Sequence, residues 1–250
     1  YVNPTPTVSA GNDTSICIGQ SLVLMGNGAQ TYSWNNGAVN GQLFTPSSSL
    51  NYTLVGTNEF GCVNQDQILI TVYSLPTINA GSNATICEGE SIVIQATGAI
   101  TYTWDNGATD NVAFNPSATA TFTVTGTDIN GCKNTDTVNV TVNTIPSAPL
   151  TTNPTAICQF TTLPDLNSNV TGSNLLWYTN LNGGTGTSII PVLSASVAGS
   201  FDVFVSQTIN NCESTRSKIT LTVNAGPNAP TTTNPTPVCL NENVPTLTAT

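Results

Sequence analysis

One unit of about 70 residues is written twice in this chain. Laying residues 8–72 over 78–142 at an offset of 70 needs no gap and gives 27 identities in 65 positions. Both segments are therefore copies of one fold, and each has to close a core within that short length. The shared skeleton reads Ala-Gly, Ile-Cys-x-Gly-x-Ser-x-Val, Gly-Ala-x-Thr-Tyr-x-Trp-x-Asn-Gly-Ala, Phe-x-Pro-Ser, Gly-Thr, Gly-Cys-x-Asn-x-Asp and Thr-Val. A third, diverged copy carries Cys158, Trp177 and Cys212 where the first has Cys17, Trp34 and Cys62 and the second Cys87, Trp104 and Cys132. Extra residues around Gly183, Gly184 and Gly186 read as a lengthened loop or an added hairpin.

The domain organisation follows from this register. Residues 1–6 read as the end of a preceding repeat or a linker, 7–73 as repeat 1, 74–143 as repeat 2 and 144–224 as diverged repeat 3. Residues 225–250 read as a linker and the start of a truncated fourth repeat, since Thr233 to Cys239 repeats the phrase Thr152 to Cys158. We expect the chain to be a segment of a longer array.

Strands are legible by alternation. Thr121-Phe122-Thr123-Val124-Thr125 puts Phe122 and Val124 on one face and three threonines on the other, the pattern of a half-buried antiparallel strand. Thr and Asn supply 74 of the 250 residues, a usage that favours strands with hydroxyl outer faces and turns tolerant of positive φ. Asn35-Asn36-Gly37, Asp105-Asn106-Gly107 and Asn130-Gly131 supply the tight turns, and Asn211 replaces the glycine in repeat 3. Six or seven short strands per unit predict an all-β protein of tandem Ig-like β-sandwich domains.

Each complete unit holds two cysteines, which predicts one intradomain disulfide apiece: Cys17–Cys62, Cys87–Cys132 and Cys158–Cys212, with Cys239 pairing beyond Thr250. A bridge closing a 45-residue loop supplies about 4 kcal/mol in the chain-entropy model. Free buried thiols and a zinc site are the alternatives. Zinc is the weaker of these, because two sulfurs without histidine cannot complete a tetrahedral shell. Disulfides place the chain in an oxidising compartment, and we expect an extracellular, cell-surface location.

Trp34, Trp104 and Trp177 invite a sugar-stacking reading, but a Trp on a middle strand is what an Ig-like sandwich buries between its sheets, so all three are assigned to cores. In repeat 3, Leu175 shares the face of Trp177, which turns Leu176 and Tyr178 outward as candidate surface contacts. Asp13, Asp66, Asp105, Asp110, Asp128 and Asp136 fall in or near turns, where Asp accepts from local backbone. No calcium-loop motif is present, and no cofactor or metal is expected, although calcium between domains stays open as an alternative.

Composition excludes several functions. With 13 acids, 3 bases and no histidine, the chain lacks the base of a Ser-His-Asp triad and the clustered cations that a phosphate backbone requires. We expect no enzyme activity, no nucleic-acid partner and no membrane insertion in this segment. The expected partners are neighbouring repeats of the same chain, with other copies of it or a surface glycan as further candidates.

The phrases Cys-x-Gly-x-Ser, Tyr-x-Trp and Asn-x-x-Gly-Cys resemble the Ig-like and PKD-like repeats of large secreted surface proteins of Bacteroidota. Repeat 3, with Cys158-Gln159, Leu176-Trp177-Tyr178 and Asn211-Cys212-Glu213-Ser214, is similar to the Ig-like domains found beside gliding-motility-associated C-terminal domains. The resemblance implies export by a type IX secretion system, service as an adhesin, stalk or filament, and an O-glycan acceptor at Thr137 within Asp136-Thr137-Val138. Trp34 and Trp104 lack the Phe-Gly-Asp-Gly turn that follows the tryptophan in PKD domains. Two rival readings are a self-assembling filament subunit and a carbohydrate-binding accessory region of a secreted enzyme. Pro-bearing linkers at Pro76, Pro146-Ser147-Ala148-Pro149 and Pro227-Asn228-Ala229-Pro230 favour extended spacing of successive domains.

Overall fold

The computed structural model describes residues 1–232, 237–241, 243 and 246. Most of the expected fourth repeat, at 233–236, 242, 244–245 and 247–250, lies outside the described residues. The chain divides into two compact units, Tyr1–Asn143 and Thr144–Thr250. The fold is all-β, and the one helical element among the described residues is a 3₁₀ turn at Leu166–Asn169.

Repeat 1 runs β1 (Thr14–Cys17), β2 (Leu22–Val23), β3 (Thr31–Trp34), β4 (Leu43–Phe44), β5 (Leu50–Thr57) and β6 (Val63–Tyr73). One sheet has the order β1-β6-β5-β3 and faces a smaller sheet of β2 and β4, which a bridge between Ser9 and Asn27 extends. Repeat 2 reproduces this with β7 (Ala84–Cys87), β8 (Ile92–Val93), β9 (Thr101–Trp104), β10 (Ala113–Phe114), β11 (Ala120–Thr127) and β12 (Lys133–Asn143). This is an Ig-like sandwich in tandem.

Alternation decides which face is inside. In β5, Tyr52 and Leu54 point to the core, where they meet Leu24, Trp34, Ile68 and Ile70; in β11, Phe122 and Val124 take those places against Ile94, Val138 and Val140. The sandwich closes tightly at Gly28 and Gly98, which hold φ of +89° and +99° and admit no Cβ, because one would lie 1.7 or 1.8 Å from the carbonyl oxygen of Thr7 or Thr77.

Repeat 3 comprises β13 (Leu150–Thr151), β14 (Ile157–Cys158), β15 (Val170–Thr171), β16 (Leu175–Tyr178), β17 (Gly199–Ile209), β18 (Cys212–Glu213) and β19 (Ser217–Asn224). Its main sheet keeps the order β14-β19-β17-β16, with β18 pairing β17. The inserted residues after β16 form a long loop touched down at one bridge, Trp177 to Thr187. Asn210 and Asn211 at the β17–β18 turn have φ of 51° and 65°, so asparagine supplies the left-handed conformations there without glycine.

The first strand of each sandwich runs parallel to the last. Cys17 lies opposite Tyr73, Cys87 opposite Asn143 and Cys158 opposite Asn224, each at the far end of the last strand. Cys62, by contrast, precedes the first residue of β6. The 11 residues of β6 therefore separate Cys62 from the position of Cys17, about 36 Å at roughly 3.3 Å per residue. A disulfide needs Cα atoms within about 7 Å.

The intradomain pairings are thus corrected. Cys17 bonds Cys132, with Cα atoms 5.6 Å apart and a sequence separation of 115. That bond excludes both Cys17–Cys62 and Cys87–Cys132. Cys87 and Cys212 are disulfide-bonded as well, whereas Cys62 and Cys158 are free thiols, so Cys158–Cys212 is not formed either. Cys239 is exposed.

Candidate functional site

The junction between repeats 1 and 2 is the best-built feature of the first unit. At one end of repeat 1, the parallel ladder of β1 and β6 is extended by Ile18 N–H donating to the Tyr73 carbonyl at 2.8 Å, which delivers Cys17 to the start of the linker. From repeat 2 comes the β11–β12 hairpin, whose turn is held by Asp128: its Oδ1 accepts from the backbone N–H of Asn130 at 2.9 Å and of Cys132 at 2.8 Å. Cys132 is wholly buried and Cys17 nearly so. A recess of about 530 Å³ lined by Cys17, Ile18, Gln20, Leu75, Gly131 and Lys133 abuts the Cys17 side of the junction.

The linker is pinned as well as bridged. Asn134 Nδ2, two residues past Cys132, donates to the Pro76 carbonyl at 2.9 Å, and Asn64 Nδ2 does the same to Pro6 at 2.9 Å. Asn58 Nδ2 donates to the Pro4 carbonyl at 2.9 Å, and the free Cys62 thiol lies 3.8 Å from the Asn3 carbonyl oxygen. In the second unit, Gln207 Nε2 and Ser217 Oγ donate to the carbonyls of Ser147 and Pro149 at 2.8 and 2.6 Å. In each repeat the hairpin bearing the second cysteine sits against the incoming linker, and the first cysteine lies toward the outgoing one.

The tryptophans occupy sandwich interiors to differing extents. Trp34 and Trp177 are buried, and Trp104 is half-buried against the core of repeat 2. Trp34 Nε1 donates to Asn40 Oδ1 at 3.1 Å and Trp104 Nε1 to Asp110 Oδ1 at 3.0 Å, so each indole has its polar atom satisfied. Thr137 is exposed on β12, opposite Thr123 on β11.

Tyr178 is not an outward contact, which corrects the expectation from alternation. It does face away from the core of Val203, Val205 and Ile219, yet it is only 5% exposed, because the inserted loop and Arg216 cover it. The Arg216 guanidinium lies 3.2 Å from the ring centroid and its Nη1 donates to the carbonyls of Asn180 and Gly183 at 2.8 and 2.7 Å. Gly186 backs against the ring so closely that a Cβ there would overlap it. Glu213 Oε1 accepts from the Tyr178 hydroxyl and, at 2.6 Å, from Ser206, whose side chain is fully buried. Burial, then the bond to Glu213, raises the Tyr178 pKa, keeping the phenol protonated as a donor. Leu176 is half-buried beside it.

The cluster Tyr178, Ser206, Glu213 and Arg216 is a group that sequence reading missed. Its trace was present: Arg216 stands four residues after the second cysteine, the spacing at which repeats 1 and 2 carry Asp66 and Asp136. Those two carboxylates have lowered pKa values, caused first by the backbone N–H of Ala10 or Ala80 and then by that of Gln67 or Thr137. Among the described residues no group of three or more His, Cys, Asp or Glu side chains is placed to hold a metal ion. No helix among them is long and apolar enough to cross a membrane.

No known family model matches this chain, and no curated protein matches it significantly. Similar solved structures are tandem immunoglobulin segments. The Drosophila OTK extracellular domains 3–5 are 12% identical, with 86% of this chain and 94% of that one covered and a TM-score of 0.33. The N-terminal eight Ig domains of the Down syndrome cell adhesion molecule are 18% identical, covering 88% of this chain and 36% of that one, with a TM-score of 0.31. Sidekick-1 immunoglobulin domains 1–4 are 12% identical, covering 88% and 76%, at 0.27. Likeness this distant carries no functional argument, and the Ig-like assignment rests on the strand order itself.

Proposed function

We propose that this chain is a non-catalytic, load-bearing part of an extracellular array, serving as an adhesin or stalk that holds something away from a cell surface. The observation that carries the reading is the Cys17–Cys132 bond, which joins one sandwich covalently to the next across their linker. A bond in that place stabilises no single domain's core. It fixes the spacing of two domains and needs an oxidising compartment to persist.

Other features agree. Many of the polar side chains hold turns and linkers, and the tryptophans are turned inward, so the indoles offer no stacking platform to a glycan. Only 6% of residues are charged, so neighbouring arrays would pack side by side with little repulsion. Export by a type IX system, implied by the resemblance of the repeats to Bacteroidota surface proteins, completes the proposal, as does glycosylation of the exposed Thr137.

Gold-labelled antibody against this chain, applied to intact source cells, tests the reading. Label on unpermeabilised cells, standing off the envelope and lost when the secretion channel is deleted, is the expected result. Label that needs permeabilisation would overturn it.

A further inference from the structure

We propose that the outer face of the smaller sheet of repeat 1, formed by β2 and β4, docks against the same face of a second copy of this chain. The proposal deepens the array reading and rests on it for its biological meaning, but the face itself is read from repeat 1 alone.

Strand alternation builds the face. Leu24 lies in the core with Leu22 and Phe44 packed against it, so Val23, Met25 and Leu43 turn to solvent. Val23 stands directly opposite Leu43 in the antiparallel register. Met25 Sδ lies against Gly41, where a Cβ would stand 3.4 Å from it. The turn that holds Gly41 begins at Val39 and is fixed beside the end of β2, because the Gly41 N–H donates to the Leu24 carbonyl at 2.9 Å. Val23, Met25, Val39 and Leu43 are 44%, 58%, 52% and 70% exposed. Outward positions on a one-sided sheet are ordinarily polar, and a group of apolar side chains gathered there marks an interaction surface.

Repeat 2 is the internal control. At the matching positions it keeps Val93 but has Gln95, Thr109 and Ala113, with Val112 where repeat 1 has Gln42. The interiors agree by contrast, with Leu24 matched by Ile94 and Phe44 by Phe114. Since the same strand order forms around Gln, Thr and Ala, folding does not call for Met25, Val39 and Leu43.

Charge identifies the occupant. Residues 14–58, which contain β2, β4 and everything between them, carry no charged side chain, whereas the matching stretch 84–128 carries Glu88, Glu90, Asp105, Asp110 and Asp128. A charged partner would lose hydration on the face of repeat 1 and find no counter-charge there. A second copy brings an equally neutral and apolar face. Two chains of net charge −10 repel one another in general, so this uncharged stretch is where self-contact meets least opposition. A two-fold axis through the face sets the patch against itself and closes the contact at two copies. With four apolar side chains on each side the contact is small and the pair weak; arrays lying side by side strengthen it by making many such contacts at once.

Sedimentation of the whole oxidised chain tests the face, with accessible thiols alkylated so that no disulfide between copies contributes. From about 1 µM to about 1 mM the chain should pass reversibly from monomer to dimer, and added salt should change this little, because neutral faces have nothing to screen. Met25→Gln, Val39→Thr and Leu43→Ala together install the residues that repeat 2 carries on the same strands, so the thermal midpoint should hold. The dimer should weaken about tenfold or more. Val55 and Val63 are exposed on the outer face of the larger sheet. Val55→Thr with Val63→Lys makes the corresponding exchange there and should leave the dimer intact. A chain that stays monomeric throughout the range overturns the proposal. So does a triple variant that associates like the parent, or a dimer abolished by the Val55 and Val63 changes instead. Antibody labelling tests the array reading separately. An internal protein that still pairs through repeat 1 defeats the array alone, and a surface-exposed monomer defeats the docking face alone.

Discussion

Repeats 1 and 2 hold their turns with acceptors that trade places freely, whereas repeat 3 holds its inserted loop with a dedicated cluster. Asn35 and Asp105 accept from the backbone N–H of Thr53 and Thr123, both at 2.8 Å. Asn58 and Asp128 cap the hairpin at Cys62 and Cys132. Asn40 and Asp110 each take an indole N–H and a backbone N–H. Asp13 and Asn83 receive the N–H of Leu69 and Asn139. Since amide and carboxylate serve alike, what these positions need is an oxygen, and the greater acidity of repeat 2 there carries no separate function. In repeat 3 the residue type does matter, because Arg216 Nη1 donates to two carbonyls while the planar guanidinium stacks on Tyr178.

The largest effect should come from breaking what joins repeats 1 and 2. Cys17→Ser removes a cross-link closing 115 residues, worth about 5 kcal/mol in the chain-entropy model. Denaturant unfolding of the chain should show the Tyr1–Asn143 unit losing most of that, with the Thr144–Thr250 unit unmoved. Reductant present throughout the denaturant titration should reproduce the shift; an unchanged midpoint in both experiments would show the bond to be energetically idle. Next in size is Trp177→Ala, expected to cost about 3 to 5 kcal/mol because it empties a fully enclosed site. Trp104→Ala should cost less, its indole being half-buried. Equal costs would contradict the difference in packing between the two sandwiches.

How much of this was legible in the sequence depends on the range of the interaction. Side-chain alternation is local, so the inward faces of Phe122 and Val124 and the interior place of Trp177 can be read directly. Strand direction is not local. Nothing within Thr14–Cys17 says that it runs parallel to β6, and that direction alone decides whether Cys17 lies near Cys62 or a strand length away. Tyr178 shows the same limit. Alternation turns it away from the core, but its cover comes from Gly186 and from Arg216, 38 residues further on, and local pattern carries no information about that. The loop closure was visible only as an arginine at a spacing where the other repeats place aspartate.

Breaking the repeat 3 cluster should have a moderate effect confined to that region. Arg216→Ala removes the stacking contact and two hydrogen bonds from a charged donor, a loss of about 1 to 3 kcal/mol. Faster amide exchange and proteolytic nicking within 179–198 should register it. Arg216→Lys should fail to rescue, because an ammonium keeps the charge but loses the planar face that stacks on Tyr178. Full protection in the lysine variant would show that charge alone holds the loop.

The smallest effect separates the units by pH. Asp66 and Asp136 have folded-state pKa values below the ordinary 3.8 because backbone N–H groups donate to their ionised forms. Between the folded and unfolded values the unfolded chain binds more protons, so this contribution is present above about pH 4 and is lost as pH falls through the folded value. Repeat 3 has Arg216 at the matching spacing and a single comparable carboxylate, Asp202, lowered by the hydroxyl of Thr220 and then by Lys218. Acidification from pH 5 to 3 should therefore lower the thermal midpoint of the Tyr1–Asn143 unit more than that of its neighbour. Asp66→Asn with Asp136→Asn should flatten that difference while leaving the neutral-pH midpoint nearly unchanged, since asparagine still offers an acceptor oxygen. A large loss at neutral pH would mean that the negative charge itself, and not the acceptor, holds Ala10 and Ala80 in place.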